Sequence, residues 1–293
     1  MAEVTVFLNG KLLPIEDAKV SVLDRGFIFG DGVYELVPVY ARVPFRLDEH
    51  LARLDRSLSE TGIRNPHSRT QWRDLIYRLI DAQPFDDQGV YFQVTRGVAK
   101  RDHAFPKNVE PTVFMMSNPL VNPPPEQVEK GGTAVSAQDH RWQRCDIKSI
   151  SLIGNVLLRQ VSAEAGGAET ILFREGVLTE ASASNVFIVK GGVIQSPPKN
   201  NLILPGITYD VVTELARADG IPLELRSLTE AEVRAADEIW VTSSSKEVFP
   251  IVALDGRRIG EGRPGPVFHR MYRLYQEFKQ KVMRAGKREA VSA

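Results

Sequence analysis

Lys148 is the side chain in this sequence with the clearest capacity for covalent chemistry. It lies in residues 144–149, Arg-Cys-Asp-Ile-Lys-Ser, where an arginine precedes it by four positions. A lysine amine is nucleophilic only after it loses its proton, and nearby cations and desolvation promote that loss. We therefore expect Arg141 and Arg144 to favour a neutral Lys148 that can bond an aldehyde. Most single lysines are solvated surface groups, so this interpretation depends on what other segments supply.

A second set of segments can bind an anion. Residues 206–208, Gly-Ile-Thr, open a predicted helix, and the free N–H groups at a helix N-terminus bind anions such as phosphate. Three serines at 243–245 follow a predicted strand and add hydroxyl donors. Arg53 lies on another predicted helix and can supply a balancing cation. Each segment alone is a weak signal, but together they predict a phosphate site.

Glu180 is the candidate partner for a ring nitrogen. It follows a predicted hairpin turn at Glu175-Gly176. A carboxylate beside a pyridine nitrogen keeps that nitrogen protonated, and a protonated ring stabilises a carbanion. Residues 182–185, Ser-Ala-Ser-Asn, can supply hydroxyl groups and an amide beside the same ring. Taken alone, these residues also fit an ordinary turn before a strand.

The hydrophobic pattern around these segments predicts an α+β protein with two unlike domains. Asp48 is expected to cap a leucine-rich helix, and residues 29–32, Phe-Gly-Asp-Gly, are expected to form a loop. The prolines at 123–125 lack a backbone donor, so we expect a linker there that belongs to no helix. The predicted organisation is a small N-terminal domain over 1–120, a proline-rich linker over 121–125 and a large C-terminal cofactor-binding domain over 126–293.

Composition narrows the class of protein. The 293 residues carry 37 basic and 37 acidic side chains, so no strong attraction to nucleic acid is expected. No apolar run reaches about 18 residues, so we expect no membrane span. Cys145 is the only cysteine, which excludes an internal disulfide and a multi-cysteine metal site. We expect a cytoplasmic protein without a bound metal.

The order and content of these segments resemble the fold-type IV pyridoxal-phosphate enzymes, from about Val6 to about Tyr275. That family includes branched-chain aminotransferases, D-amino-acid aminotransferases, (R)-amine transaminases and aminodeoxychorismate lyase. The resemblance implies a smaller N-terminal α/β sandwich-like domain and a larger C-terminal domain with a barrel-like mixed sheet and helices. It implies pyridoxal 5′-phosphate as cofactor, with Lys148 as the catalytic, Schiff-base lysine. The implied cofactor-binding residues are Arg53, Lys148, Glu180, Ser184, Asn185, Leu204, Gly206, Ile207, Thr208, Ser243 and Ser244.

Residues 101–106, Arg-Asp-His-Ala-Phe-Pro, resemble the loop of the D-amino-acid aminotransferases. The resemblance implies a homodimer in which Arg101 and His103 reach the neighbouring active site and bind the substrate α-carboxylate together with Tyr34. A guanidinium can engage a carboxylate through two hydrogen bonds, which suits this role. The implied substrate-binding residues are Tyr34, Val37, Arg101, His103, Ser244 and Ser245.

The implied reaction is a ping-pong transamination between D-amino acids, of the D-alanine and D-glutamate class, and 2-oxo acids. Pro38 on the predicted pocket strand leaves the preferred side chain open. The alternative is an (R)-selective amine transaminase or an enzyme with both activities. A branched-chain L-aminotransferase fits the Arg101-x-His103 pattern less well, and the lyase is a weaker candidate. A binding protein that lost catalysis would be expected to lack Lys148 or the phosphate site.

Overall fold

The chain starts as a β-hairpin because an Asn-Gly turn separates two apolar segments. β1 (Thr5–Leu8) pairs antiparallel with β2 (Lys11–Pro14). Asn9 and Gly10 have φ angles of 45° and 93°, as required by the two-residue turn that best matches the twist of a hairpin. The predicted hairpin is therefore present with its turn at the predicted residues.

The structure is a computed structural model that describes residues 4–286, in two units. The first unit comprises residues 4–120, Ile147–Leu152 and residues 282–286, and the second comprises Val121–Asp146 and Ile153–Lys281. The units part at the start of the predicted linker. Ile147–Leu152, which carries Lys148, belongs to the first unit and not to the predicted C-terminal domain. The outer ends of the predicted domains, 1–3 and 287–293, lie outside the described residues.

The first unit is a six-stranded antiparallel sheet with helices packed on it. Its further elements are α1 (Arg25–Phe29), β3 (Gly32–Tyr40), β4 (Val43–Pro44), α2 (Leu47–Thr61), α3 (Arg69–Asp81), β5 (Gln88–Thr95) and β6 (Thr112–Pro119). The strand order is β2-β1-β6-β5-β3-β4. Apolar side chains of α2 and α3 are buried in one core with those of the sheet, and Trp72 packs 5.3 Å from the ring of Phe92. This core holds β3 and α2 in fixed positions.

The second unit contains a mixed nine-stranded sheet. Its elements are α4 (Pro125–Lys130), β7 (Gly132–Gln138), α5 (Ile153–Glu164), β8 (Glu169–Arg174), β9 (Val177–Ala181), β10 (Asn185–Lys190), β11 (Val193–Ser196), α6 (Ile207–Ala218), β12 (Leu223–Leu225), α7 (Glu230–Arg234), β13 (Glu238–Ser243), β14 (Glu247–Leu254), β15 (Arg257–Arg258) and α8 (Pro266–Phe278). A π-helical turn, Lys279–Met283, follows α8. None of the helices in residues 4–286 is long and apolar enough to cross a membrane.

This sheet must curl. Its order is β12-β11-β10-β13-β14-β7-β8-β9, with β15 beside β14. β9 is separated from β10 by four strands along this path, yet only residues 182–184 connect the two, and they are in contact. The backbone N–H of Ala181 also donates to the carbonyl of Ser184. The predicted barrel-like mixed sheet is therefore confirmed.

Three local predictions were wrong. α2 begins with Arg46 at its N-cap, without a side-chain cap, so Asp48 lies inside the first turn and does not cap the helix. Residues 29–32 are not all loop, because Phe29 ends α1 and Gly30 closes that helix with φ of 66°. Pro125 begins α4, since the first helical position needs no N–H donor.

A buried charged group joins β3 to α2. Glu35 is fully buried, and both of its carboxylate oxygens accept hydrogen bonds from Arg53, at 2.8 Å each. His50 Nδ1 lies 2.8 Å from Glu35 Oε2. Burial alone raises the pKa of Glu35, but the charge and hydrogen bonds of Arg53 and the hydrogen bond of His50 outweigh it and hold the pKa far below its usual range. Burial lowers the pKa of His50, so His50 is neutral and donates its Nδ1–H.

We predict that Glu35→Gln lowers the free energy of unfolding by about 3–5 kcal/mol at neutral pH, because it removes the anionic partner of a buried guanidinium. The folded-state pKa of Glu35 lies below its unfolded value, so this stabilisation is full above the unfolded pKa and is lost as the pH falls. Chemical denaturation followed by circular dichroism measures it.

The matched control is Glu110→Gln, which breaks an ion pair between the exposed side chains of Arg64 and Glu110. That change should lower the free energy of unfolding by less than about 1 kcal/mol. Equal effects of the two substitutions would contradict the importance of the buried pair.

Candidate functional site

Lys148 is fixed at the edge of β3 in the first unit. The backbone N–H of Tyr34 donates to the Lys148 carbonyl at 2.9 Å, and Ser149 forms an antiparallel bridge with Val33. The Lys148 N–H donates to Ser57 Oγ at 3.3 Å. The Lys148 ammonium nitrogen lies 4.1 Å from the centre of the Tyr34 ring. The backbone of the predicted catalytic lysine is thus anchored by β3 and α2, and its amine lies over an aromatic face.

The predicted substrate residue Val37 needs a correction. Side chains alternate across a strand, so Tyr34 and Val37 lie on opposite faces of β3. Val37 is fully buried in the core with the helices of the first unit. Leu36, which pairs with Tyr91 on the neighbouring strand, shares the face of Tyr34. The alternation along the sequence could already have placed Leu36, and not Val37, on the face of Tyr34.

The loop carrying Arg101 and His103 lies against one aromatic ring. The Arg101 guanidinium carbon is 5.4 Å from the centre of the Phe29 ring, and the His103 ring is 5.5 Å from it. Both predicted substrate-binding side chains are exposed. The structure brings these two residues together within the first unit.

Glu180 is buried in the second unit and held by three donors. Arg141 Nη1 donates to Oε1 at 2.7 Å, and the Leu204 N–H donates to Oε2 at 2.9 Å. Asn185 Nδ2 lies 3.4 Å from Oε2 and donates to the Leu204 carbonyl at 2.9 Å. Burial raises the pKa of Glu180 to about 6, although the charge of Arg141 opposes that rise. A carboxylate offers about four acceptor positions, so Glu180 can accept one further donor.

The structure does not support the expectation that Arg141 and Arg144 favour a neutral Lys148. Arg141 donates to both oxygens of Asp139, at 2.9 and 3.0 Å, in addition to Glu180. Arg144 forms an ion pair with Asp146 at 3.2 Å. Carboxylates therefore offset both positive charges. Arg141 orients Glu180, a role that no sequence motif indicated.

Cys145 beside these arginines is an inert thiol. Its side chain is buried, and its Sγ lies 3.2 Å from the carbonyl oxygen of Trp142. Burial raises the pKa of Cys145 to about 11, so almost no reactive thiolate exists at neutral pH. This agrees with a packing role for the residue.

A helix begins where the sequence predicted a phosphate site. α6 begins at Ile207 with Gly206 as its N-cap, and no side chain caps it. The first amides of the helix can therefore serve an external anion. A Cβ at position 206 would lie 2.2 Å from Asn185 Oδ1, so a larger residue there would displace the Asn185 side chain. Thr208 is almost fully buried in the first turn.

The serine segment forms the turn between β13 and β14. Ser243 Oγ accepts from the Lys246 N–H at 3.1 Å and lies 3.5 Å from Ser245 Oγ. Ser244 is half-buried, and Ser245 is exposed. The turn therefore presents hydroxyl groups directly after a buried strand.

Two buried hydroxyl groups of the second unit lack a hydrogen-bond partner within residues 4–286. These are Ser184 Oγ and Thr242 Oγ1, and Thr242 pairs with Asn185 across β10 and β13. Unpaired buried hydroxyl groups, an uncapped helix end and a buried carboxylate fit a ligand with a phosphate and a basic ring nitrogen. The donor set therefore suits pyridoxal 5′-phosphate.

Glu169 is a functional candidate that the sequence reading missed. Its Oε1 accepts from Ser182 Oγ at 2.9 Å and from the Ala183 N–H at 2.7 Å, while Lys246 Nζ donates to Oε2 at 2.8 Å. Glu169 is fully buried. One carboxylate thus fixes the turn that precedes Asn185 and the turn that follows β13. A glutamate at the start of β8, ahead of the apolar residues 171–173, was the available signal.

The chain is similar in sequence to aminotransferases of known function. A D-alanine aminotransferase of Bacillus licheniformis is 41% identical over 262 residues, 89% of this chain and 92% of that protein. A D-alanine aminotransferase of Staphylococcus epidermidis is 38% identical over 275 residues, 94% of this chain and 98% of that protein. The sequence relationship therefore extends over nearly the whole chain.

Solved structures agree in fold. A branched-chain aminotransferase of Thermoproteus uzoniensis has a TM-score of 0.86 at 26% identity and covers 97% of each chain. A T.th. branched-chain amino acid aminotransferase with pyridoxamine 5′-phosphate has a TM-score of 0.87 at 26% identity and covers 94% of each chain. The predicted fold class and the predicted pyridoxal-phosphate cofactor are confirmed. The family model for amino-transferase class IV matches residues 32–254, and this chain belongs to that family.

Proposed function

We propose that the chain transfers amino groups between D-amino acids, of the D-alanine and D-glutamate class, and 2-oxo acids. The observation that carries this proposal is the 41% identity to a D-alanine aminotransferase over 89% of the chain. The pairing of Arg101 and His103 on one loop supports it, since both side chains can donate to a carboxylate. We propose a cytoplasmic location, because the one cysteine of the sequence is a free thiol and fits a reducing compartment.

We assign the cofactor contacts as follows. When bound, pyridoxal 5′-phosphate supplies an aldehyde that a lysine can bond and a ring that accepts electrons from the substrate Cα. Glu180 holds the proton on the ring nitrogen, with Arg141 keeping the carboxylate in place. The phosphate contacts come from Arg53, Ile207, Thr208, Ser243 and Ser244. Ser184, Asn185, Leu204 and Gly206 complete the surroundings.

Lys148 is the proposed acid–base residue of the reaction. Its Nζ takes the proton from the substrate Cα as a general base. Arg101, His103 and Tyr34 bind the α-carboxylate, and the position of that group decides which face of Cα is turned toward Lys148. Leu36 and the turn at Ser244 and Ser245 contact the substrate side chain. Holding the carboxylate on one side therefore selects the D-enantiomer.

We predict that the purified enzyme transaminates D-alanine with 2-oxoglutarate and that Lys148→Ala abolishes turnover. A donor panel of D-alanine, D-glutamate, L-leucine and (R)-1-phenylethylamine measures the preference by rates of 2-oxo acid or ketone release. The apolar Leu36 beside Tyr34 also suits an (R)-amine, so that donor tests the alternative. Preference for L-leucine, or D-alanine turnover by Lys148→Ala, would overturn the proposal.

We infer a homodimer from an exposed apolar face of α5. Ile153, Val156, Leu157 and Val161 follow helical spacing, and their exposed fractions are 71%, 59%, 63% and 42%. A contiguous apolar stripe of this kind marks an interaction surface. We propose that a second copy of the chain covers it and that the loop carrying Arg101 serves the neighbouring active site.

We predict that hybrid dimers show this exchange. Lys148→Ala and Arg101→Ala are each impaired, but a hybrid of the two contains one site with both native residues if Arg101 acts across the dimer. Co-expression with two affinity tags should then restore about half of the wild-type D-alanine activity to the purified hybrid, since one of its two sites is intact. Activity no greater than the mean of the two variants would show that Arg101 acts within its own chain.

A further inference from the structure

The side chains of Arg101 and His103 depend on one aromatic ring for their orientation. Neither forms a hydrogen bond or ion pair with any residue in 4–286, and both are exposed. Both lie within 5.5 Å of the centre of the Phe29 ring. Long exposed side chains lose rotamer entropy when they bind a ligand unless a contact already restricts them. The Phe29 ring supplies that contact for both.

The loop backbone is held by hydrogen bonds of a second arginine, Arg25. Arg25 Nη1 donates to the carbonyl of Asp102, which lies between Arg101 and His103. Arg25 itself is buried and donates its Nε to Asp31 Oδ2 at 2.7 Å. The Arg25 guanidinium carbon also lies 4.9 Å from the centre of the Phe29 ring. Removing the ring would free the side chains of Arg101 and His103, while Arg25 keeps its hydrogen bonds to Asp31 and to the Asp102 carbonyl.

Phe29 is held firmly. It ends α1, whose N-terminus is capped by Asp24 through the Gly26 N–H at 2.8 Å. Gly30 closes the helix with φ of 66°, and a Cβ there would lie 2.6 Å from Ser151 Oγ. Ser151 Oγ donates to the Gly30 carbonyl at 2.8 Å. The backbone on both sides of Phe29 is therefore held by hydrogen bonds.

We propose that Phe29 is a positioning residue for recognition of the substrate α-carboxylate, acting through Arg101 and His103. The inference rests on the proposed carboxylate-binding role of those two residues. Cation–π contact orients the guanidinium, and ring contact orients the imidazole. Phe29 thereby determines how strongly the enzyme favours donors that carry a carboxylate over amines that lack one.

The test compares Phe29→Leu with Phe29→Tyr, which keeps the ring, and with Phe27→Leu on the same helix, whose side chain is 71% exposed. Phe29→Leu should raise KM for D-alanine about tenfold, with kcat changed less than about twofold and KM for (R)-1-phenylethylamine unchanged. Phe29→Tyr and Phe27→Leu should match the wild type. Equal changes for both donors, or none for D-alanine, would overturn the proposal.

A binding measurement separates this inference from the proposed function. Propionate carries the carboxylate but no amine, and its Kd for the holoenzyme is measured by calorimetry. Arg101→Ala and Phe29→Leu should both weaken propionate binding, and the second effect should shrink in the double variant. If Arg101→Ala weakens propionate binding and Phe29→Leu does not, Phe29 does not position the carboxylate site. If the wild type rejects D-alanine, the proposed function fails, yet propionate binding still decides whether Phe29 positions the carboxylate site.

Discussion

The cost of burying a carboxylate is the constraint on which the rest of this structure depends. Glu35, Glu169 and Glu180 are each almost or fully buried, and an unpaired buried charge would be strongly destabilising. Every one of them therefore draws donors from segments distant in sequence. Glu35 joins β3 to α2, and Glu169 joins two turns of the curled sheet. The pairing requirement thus fixes the elements that carry the predicted site residues.

Arg141 contacts two buried carboxyl groups, those of Asp139 and Glu180, whose pKa values differ. Burial raises the pKa of both Asp139 and Glu180, and Arg141 contacts both. Asp139 receives two hydrogen bonds from the Arg141 guanidinium, one from the Arg141 backbone N–H and one from Thr179, and these bring its pKa to about 2. Glu180 receives less compensation, and its pKa is about 6. Glu180 thus keeps an affinity for protons that suits a partner for a ring nitrogen, while Asp139 acts as a fixed counter-ion.

The sequence predicted what local chemistry determines and missed what tertiary pairing determines. The helix N-terminus at Gly206, the hairpin at Asn9-Gly10 and the strand before Ser243 follow from turn residues and periodicity, and all are present. Asp48 failed as a cap because helix boundaries shift by one or two residues. The contact of Arg141 with Glu180 and that of Glu169 with Lys246 were missed, since these partners lie 39 and 77 residues apart along the chain.

The fold alone does not select the substrate. Branched-chain aminotransferases share this fold with TM-scores of 0.86 and 0.87, at 26% identity. Function therefore has to be argued from side chains placed on a common scaffold. The loop from Arg101 to His103 and the Tyr34 face of β3, which we propose to be such features, both belong to the first unit. Because their positions derive from α1 and β3, we expect small changes at Phe29 or Leu36 to alter substrate choice without altering the proposed cofactor residues of the second unit.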